Sequence, residues 1–254
     1  MSLRFILTAA VAALAVAAVP MVAAPAGLVA QTSPDLGMAP LTDVYLATTT
    51  EGQKQLRFSA MIVNVGAGAF ELAAARPDSS SAFSVSQRIF SSDGSSTLVP
   101  TPASLVLGGD GHNHWHVKDL ERYELRRLDN GVKVGTSAKS GFCFFDTDAY
   151  RTSLPGAPSA AVYRGAGCGD ASSLNVNMGV SVGWGDEYGW TLPDQYIDVT
   201  NLAGGKYRLY AEADPFGWFT ESAEGNNFTW VDLALTIQKR GTTKIRILGY
   251  GPSA

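Results

Sequence analysis

The histidines of this 254-residue sequence, three in all, fall at His112, His114 and His116 within Gly-His-Asn-His-Trp-His. Alternate spacing on an extended segment puts three imidazoles on one side of the chain. Neutral imidazole binds zinc, copper, iron or nickel, and with no thiolate in the cluster copper(II) and zinc lead. A flat strand rising about 3.3 Å per residue sets the outer two histidines roughly 13 Å apart, so three short metal bonds require curvature. Gly108, Gly109 and Gly111 stand just upstream, where a turn can supply it. A histidine-rich loop without a resident metal is the plainer alternative. Two further residues carry chemistry: Lys139 in Ala-Lys-Ser-Gly-Phe-Cys-Phe-Phe-Asp-Thr, and Tyr188 in Gly-Val-Ser-Val-Gly-Trp-Gly-Asp-Glu-Tyr. Taken singly, a lysine is ordinarily solvated and a tyrosine ordinarily packs.

The elements that must position these residues read as β. Helical periodicity is nearly absent past residue 30, while short runs rich in Val, Ile, Leu, Phe and Tyr recur between Gly, Asp, Asn and Ser clusters. Expected strands are Leu41–Ala47, Gln55–Asn64, Ser84–Phe90, Leu105–Leu107, His114–Arg126, Gly141–Phe145, Gln195–Asp198, Gly205–Ala213, Phe228–Gln238 and Lys244–Leu248. Between Ala149 and Glu187 the chain is rich in Gly, Ser and Ala, which reads as long loops pinned by cysteines. The expected fold is mainly β, a β-sandwich core with long irregular active-site loops and little helix outside a signal peptide.

Residues 1–30 read as a secretory signal: Arg4 precedes an almost wholly apolar, Ala-rich stretch from Phe5 to Val19. Cleavage after Ala26 or Ala30 would start the mature chain near Gly27 or Gln31, giving a secreted, extracellular protein. Residues 31–40 then form a linker, 41–237 one catalytic domain, and 238–254 a C-terminal strand or tail, modestly basic through Lys239, Arg240, Lys244 and Arg246. No later stretch approaches the roughly 20 apolar residues of a spanning helix, so no membrane span is expected after signal cleavage. Cys143 and Cys168 are the two cysteines, and in an exported protein pairing is the default. A net charge of −4 without a dominant basic face argues against nucleic acid as a partner. It favours cationic substrates if the acidic groups gather near the site.

Taken together, the motifs resemble the lysyl oxidase family of copper amine oxidases. The family's copper-binding His-x-His-x-His falls on His112, His114 and His116. Its cofactor lysine motif, Lys-x-x-Phe-Cys-x-x-Asp-Thr, falls on Lys139, Phe142, Cys143, Asp146 and Thr147. Its cofactor tyrosine motif falls on Gly179, Ser181, Gly183, Asp186 and Tyr188, followed by Tyr196, Ile197, Asp198 and Thr200. Weaker matches at Leu56-Arg57-Phe58, Asn64, Gly66 and Phe70, and at Glu221-Ser222 and Asn226-Asn227, extend the resemblance over about residues 41 to 235. With only two cysteines and a glycine-rich lead-in to the histidines, the chain looks like a compact, minimal relative.

The resemblance implies Cu2+ and a lysine tyrosylquinone formed from Lys139 and Tyr188 with dioxygen. It implies oxidative deamination of primary amines, foremost lysine side chains of peptides or proteins, to an aldehyde with release of H2O2 and ammonia. Addition of Lys139 requires a neutral amine, hence a desolvated lysine or one beside another cation. A carboxylate general base is also required, and Asp186 and Asp146 are the candidates. Asp110, Asp119 and Glu121 are candidates to orient the imidazoles. The rival reading is an exported copper- or zinc-binding β-domain in which Lys139 and Tyr188 take no part in chemistry.

Overall fold

The computed structural model describes residues 29–108, 113–237 and 243–254. The segment through residue 28, expected from the sequence to be a signal, lies outside the described residues, as do His112, Asp110, Lys239 and Arg240. Nineteen strands and a single 3-10 turn, Gly165–Cys168, make up the described secondary structure, so the chain is mainly β as expected.

Every strand pair is antiparallel. Lys54–Asn64 is the spine of one sheet: its second half pairs with Leu36–Met38 on one side and Trp184–Tyr188 on the other. Its first half pairs with Thr42–Thr48 and Tyr196–Asp198, and Asp148–Ala149 pairs with Trp184–Tyr188. A second sheet runs Lys133–Thr136, Glu121–Arg127, Gly205–Ala213, Phe228–Ile237, Thr243–Tyr250. A third sets Asn175–Val180 beside Phe70–Ala75, then Ser84–Ser91, which also pairs with Gln31–Thr32 and Ser96–Pro100. A small three-stranded sheet of Leu105–Leu107, Trp115–Lys118 and Gly141–Phe142 carries the histidines.

Alternation explains how these sheets share a core. Along Gly205–Ala213, Tyr207, Leu209, Ala211 and Ala213 are buried while the residues between them are not. Leu56, Phe58, Ala60 and Ile62 project from the spine into the same apolar cluster, where Phe58 meets Tyr123 edge-on at 5.1 Å. Burial of this kind contributes on the order of 25 cal/mol per Å² of apolar surface.

The structure departs from the expected elements in several places. The 149–187 segment is not all loop, because Asn175–Val180 and Trp184–Tyr188 are strands within it. The His114–Arg126 strand is two, Trp115–Lys118 and Glu121–Arg127, belonging to different sheets and separated by Asp119 in the left-handed region (φ 58°). Gly141–Phe145 shortens to Gly141–Phe142. Thr243–Tyr250 is an edge strand hydrogen-bonded to Phe228–Ile237 rather than a detached tail.

Candidate metal and cofactor site

Leu105–Leu107 and Trp115–Lys118 pair antiparallel, and Gly108 N–H donates to the His114 carbonyl at 2.8 Å. The connection between them in sequence contains the glycines and His112. Alternation puts His114 and His116 on one side of their segment; their ring centroids are 4.7 Å apart and the planes cross at 63°. His116 is buried. Gly141, paired with Lys118 on the next strand, lies flat against it: a Cβ there would stand 2.9 Å from His116 Cβ, so a side chain at 141 would displace the imidazole.

Lys139 precedes that strand and is buried, with its backbone N–H donating to Ser137 Oγ at 3.1 Å. Its Nζ lies 4.9 Å from the centre of the Tyr188 ring and 5.4 Å from that of Phe142. Tyr188 ends the Trp184–Tyr188 strand, buried, and its hydroxyl donates to the Cys143 carbonyl at 2.6 Å. Cys143 is bonded to Cys168, as expected for an exported pair, with Cα atoms 5.8 Å apart. One disulfide partner therefore anchors the phenol, and Lys139 sits out of water against the tyrosine face. Burial, reinforced by the Asp186 and Glu121 carboxylates, pushes the Tyr188 phenol well above its usual range. A bound cation acts in the opposite sense.

The two candidate bases differ. Asp146 is buried with both oxygens occupied: Oδ1 accepts from the Ser181 N–H, and Oδ2 from Ser181 Oγ, Val162 N–H and Tyr163 N–H, all within 3.1 Å. It ties the 161–163 segment to the start of the tyrosine motif. Asp186 shares its strand face with Tyr188, is 2 % exposed, and has an Oδ2 with no hydrogen-bond partner among the described residues. Burial first, and then the Glu121 carboxylate, raise Asp186 well above the ordinary carboxylate range, although a hydrogen bond with Tyr188 and the Lys139 charge oppose this.

The rest of the buried polar group includes Glu121, which the sequence offered only as an orienter of the imidazoles, and Gln195, which sequence reasoning missed. Glu121 is turned into the core, where it accepts from the Tyr123 hydroxyl, and its Oε1 has no partner among the described residues. Burial pushes its carboxyl up to about 8, against the Tyr123 hydrogen bond and the Lys139 charge. Gln195, fully buried, adds two unpartnered amide atoms. A charged or amide residue at an inward position of an alternating strand was the available signal. Asp119, by contrast, lies on the bend, 4.0 Å from Lys118 Nζ.

A cavity of about 180 Å³ brings His114, His116, Lys139, Asp186 and Tyr188 together, with Phe145 and Leu192 as apolar wall and Glu187 also lining it. Asp146 does not line it. Glu187 is raised by burial and by the nearby Asp148 and Asp43 carboxylates, so acidic groups do gather on this side. Glu121 stands close enough to raise the proton affinity of Asp186, and Asp186 lines the cavity with a lysine, a tyrosine and two imidazoles. Such an arrangement can bind a metal through nitrogen, hold an aromatic ring against an amine and accept a proton at carboxylate oxygen.

The family profile described as "Lysyl oxidase" matches residues 84–244, more than half of the chain. This chain belongs to the lysyl oxidase family. Among curated relatives of the family, "Lysyl oxidase homolog 4" of Mus musculus is 31% identical over 117 residues, covering 46% of this chain and 14% of the relative. "Lysyl oxidase homolog 3A" of Danio rerio is 32% identical over 117 residues, with the same coverage of each chain. "Protein-lysine 6-oxidase" of Gallus gallus is 28% identical over 126 residues, covering 49% of this chain and 27% of the relative. The chain thus spans only about an eighth to a quarter of these lysyl oxidase relatives. Among the described residues no helix is long and apolar enough to cross a membrane.

Proposed function

We propose that this member of the family is an exported copper- and quinone-dependent amine oxidase. It converts a primary amine, dioxygen and water to an aldehyde, ammonia and H2O2, with peptidyl lysine as the foremost substrate. The observation that carries the reading is the buried Lys139 amine 4.9 Å from the Tyr188 ring centre in a cavity lined by two imidazoles.

The residues fit the groups they would hold. His114 and His116 offer neutral nitrogen donors side by side, the donor type that copper(II) prefers, and His112 is the third ligand in sequence. Copper bound there supplies redox and Lewis-acid chemistry for oxidising the Tyr188 ring, and a quinone joined to Lys139 supplies the electron sink for amine oxidation. The chain's own residues do the rest. Lys139 is buried with its amine held over the Tyr188 ring, the group to which it would add. The Cys143 carbonyl fixes the phenol, and Phe142 packs edge-on against the Tyr188 ring at 5.0 Å, which sets its plane. Asp186 takes the substrate's α-proton at Oδ2, the carboxylate oxygen left open; its raised proton affinity suits it to hold that proton. Phe145 and Leu192 keep water from the reacting carbon, and the carboxylates around Glu187 favour approach of a cationic amine.

Copper-loaded protein is expected to release H2O2 from a lysine peptide and from n-butylamine, and to yield a coloured phenylhydrazine adduct on the Tyr188 peptide. A protein that loads copper stoichiometrically yet does neither is the metal-binding β-domain without oxidase activity.

A further inference from the structure

Arg76, at the end of the Phe70–Ala75 strand, is 7 % exposed, although arginine is rarely buried without a reason. Its guanidinium lies 4.7 Å from the Phe83 ring centre and 4.8 Å from that of Trp115. Its donors are spent on three backbone carbonyls: Nε to Ser173 at 2.8 Å, Nη1 to Ser79 at 2.9 Å and Nη2 to Ala171 at 2.6 Å. Trp115 is held from a second direction, because its Nε1 donates to the Asp170 carbonyl at 2.6 Å and its ring meets Phe83 edge-on at 4.9 Å.

Trp115 stands between His114 and His116, and alternation sends its ring to the opposite side of the segment from both imidazoles. A strand is a lever: fixing the rotation of the residue in the middle fixes the directions of its two neighbours. The small three-stranded sheet has only two pairs to Leu105–Leu107 and Gly141–Phe142 to hold that rotation by itself. The turn gripped by Arg76 and Trp115, residues 170–173, follows Cys168 directly, so the clamp ties the histidine segment to the disulfide.

We propose that Arg76 is a positioning residue for the metal site, setting through Trp115 the orientation of the segment from which His114 and His116 project. This rests on the copper reading of those histidines. Contact with two rings together with three hydrogen bonds to carbonyls is a task for guanidinium; lysine carries the charge without the plane or the fork.

The test uses the full mature chain with Cu2+ as probe, comparing wild type, Arg76→Gln, Arg76→Lys and Trp115→Phe. Arg76→Gln is expected to weaken copper binding about tenfold, the scale seen when groups that orient metal ligands are removed. The copper(II) EPR spectrum should also change from one hyperfine pattern to a mixture. Arg76→Lys should recover little of either, and Trp115→Phe, which keeps a ring but loses the bond to Asp170, should show a smaller change of the same kind. A folded Arg76→Gln protein with wild-type copper affinity and spectrum overturns the proposal. If Arg76→Gln does not fold, a wild-type spectrum from Trp115→Phe overturns it. Amide exchange across Trp115–Lys118 in the metal-free proteins separates this proposal from the copper reading. Faster exchange in Arg76→Gln upholds the clamp even if the wild type takes up no copper, and unchanged exchange overturns it even if copper binds.

Discussion

Along Glu121–Arg127, alternate residues serve two unlike polar environments. On the outer side Arg122, Glu124 and Arg126 lie in a lattice of opposed charges: Arg126 meets Glu124 at 2.6 Å, Lys133 meets Glu124 at 3.3 Å, Arg122 bonds Glu212, and Arg208 grips Asp232 at 2.8 Å across the neighbouring strands. A broad depression of about 510 Å³ opens there beside Arg122, Arg126 and Arg208, wider than the histidine cavity, yet its charges are mutually neutralised. On the inner side Glu121 faces Lys139 and Asp186 with an oxygen left unpaired, and Asp186 and Gln195 leave three more atoms so. The first arrangement is surface scaffold, in which half-exposed arginine and lysine side chains pair with the buried Glu124 carboxylate. The second costs stability, as buried and mutually perturbed titratable groups at a functional site do.

The contrast is broken or sharpened by four variants. Asp186→Asn on the inner side is expected to lower amine turnover by about 10²- to 10⁴-fold, the usual worth of a positioned proton acceptor, with copper content unchanged. Peroxide release checks this, and a variant within a few-fold of wild type assigns the base elsewhere. Replacing Cys143 and Cys168 by serine removes the closure that anchors both Tyr188 and the 170–173 turn. Urea unfolding should show a loss of about 3 to 4 kcal/mol.

Glu121 gives a pH signature. Its folded-state proton affinity is raised to about 8 from 4.5, so between those values the folded state holds a proton that the unfolded state has lost. Stability of the metal-free protein therefore falls as pH rises from about 4.5 to 8, by on the order of 5 kcal/mol, and levels off above. Glu121→Gln should flatten that slope in urea titrations; an unchanged slope would place the proton on another group. On the outer side, Arg126 is itself well exposed and Lys133 also pairs with Glu124, so Arg126→Ala should cost about 1 kcal/mol or less and leave copper affinity unaltered.

How much of this was legible in the sequence follows from the same contrast. Strands that alternate, such as Gly205–Ala213, were readable because one face is buried and the other is wet. Phe70–Ala75 escaped because Phe-Glu-Leu-Ala-Ala-Ala has no strand propensity of its own; pairing on both sides makes it a strand. Asn175–Val180 and Trp184–Tyr188 were hidden by glycines that tertiary contact demands. Gly183 turns with φ 75° where a Cβ would stand 2.4 Å from the Arg151 carbonyl oxygen, and its N–H donates to Asn64. Lys139 and Tyr188 were found through motif order, since spacing along the chain carries no sign of their approach. Asp146 and Asp186 read alike as acidic motif residues, and only their hydrogen bonds distinguish a carboxylate occupied by four donors from one with an open oxygen. Glu121 and the Arg76 clamp depend on which side of a strand faces which neighbour, which a bend at Asp119 resets.

The most direct test of the central claim is peptide mass spectrometry on mature protein incubated aerobically with copper(II). The account predicts a covalent link between the Lys139 and Tyr188 peptides, absent from Lys139→Ala and from protein with His114 and His116 replaced. Intact, unlinked peptides from a fully copper-loaded sample would contradict it and leave a metal-binding protein of the lysyl oxidase family without the oxidase chemistry.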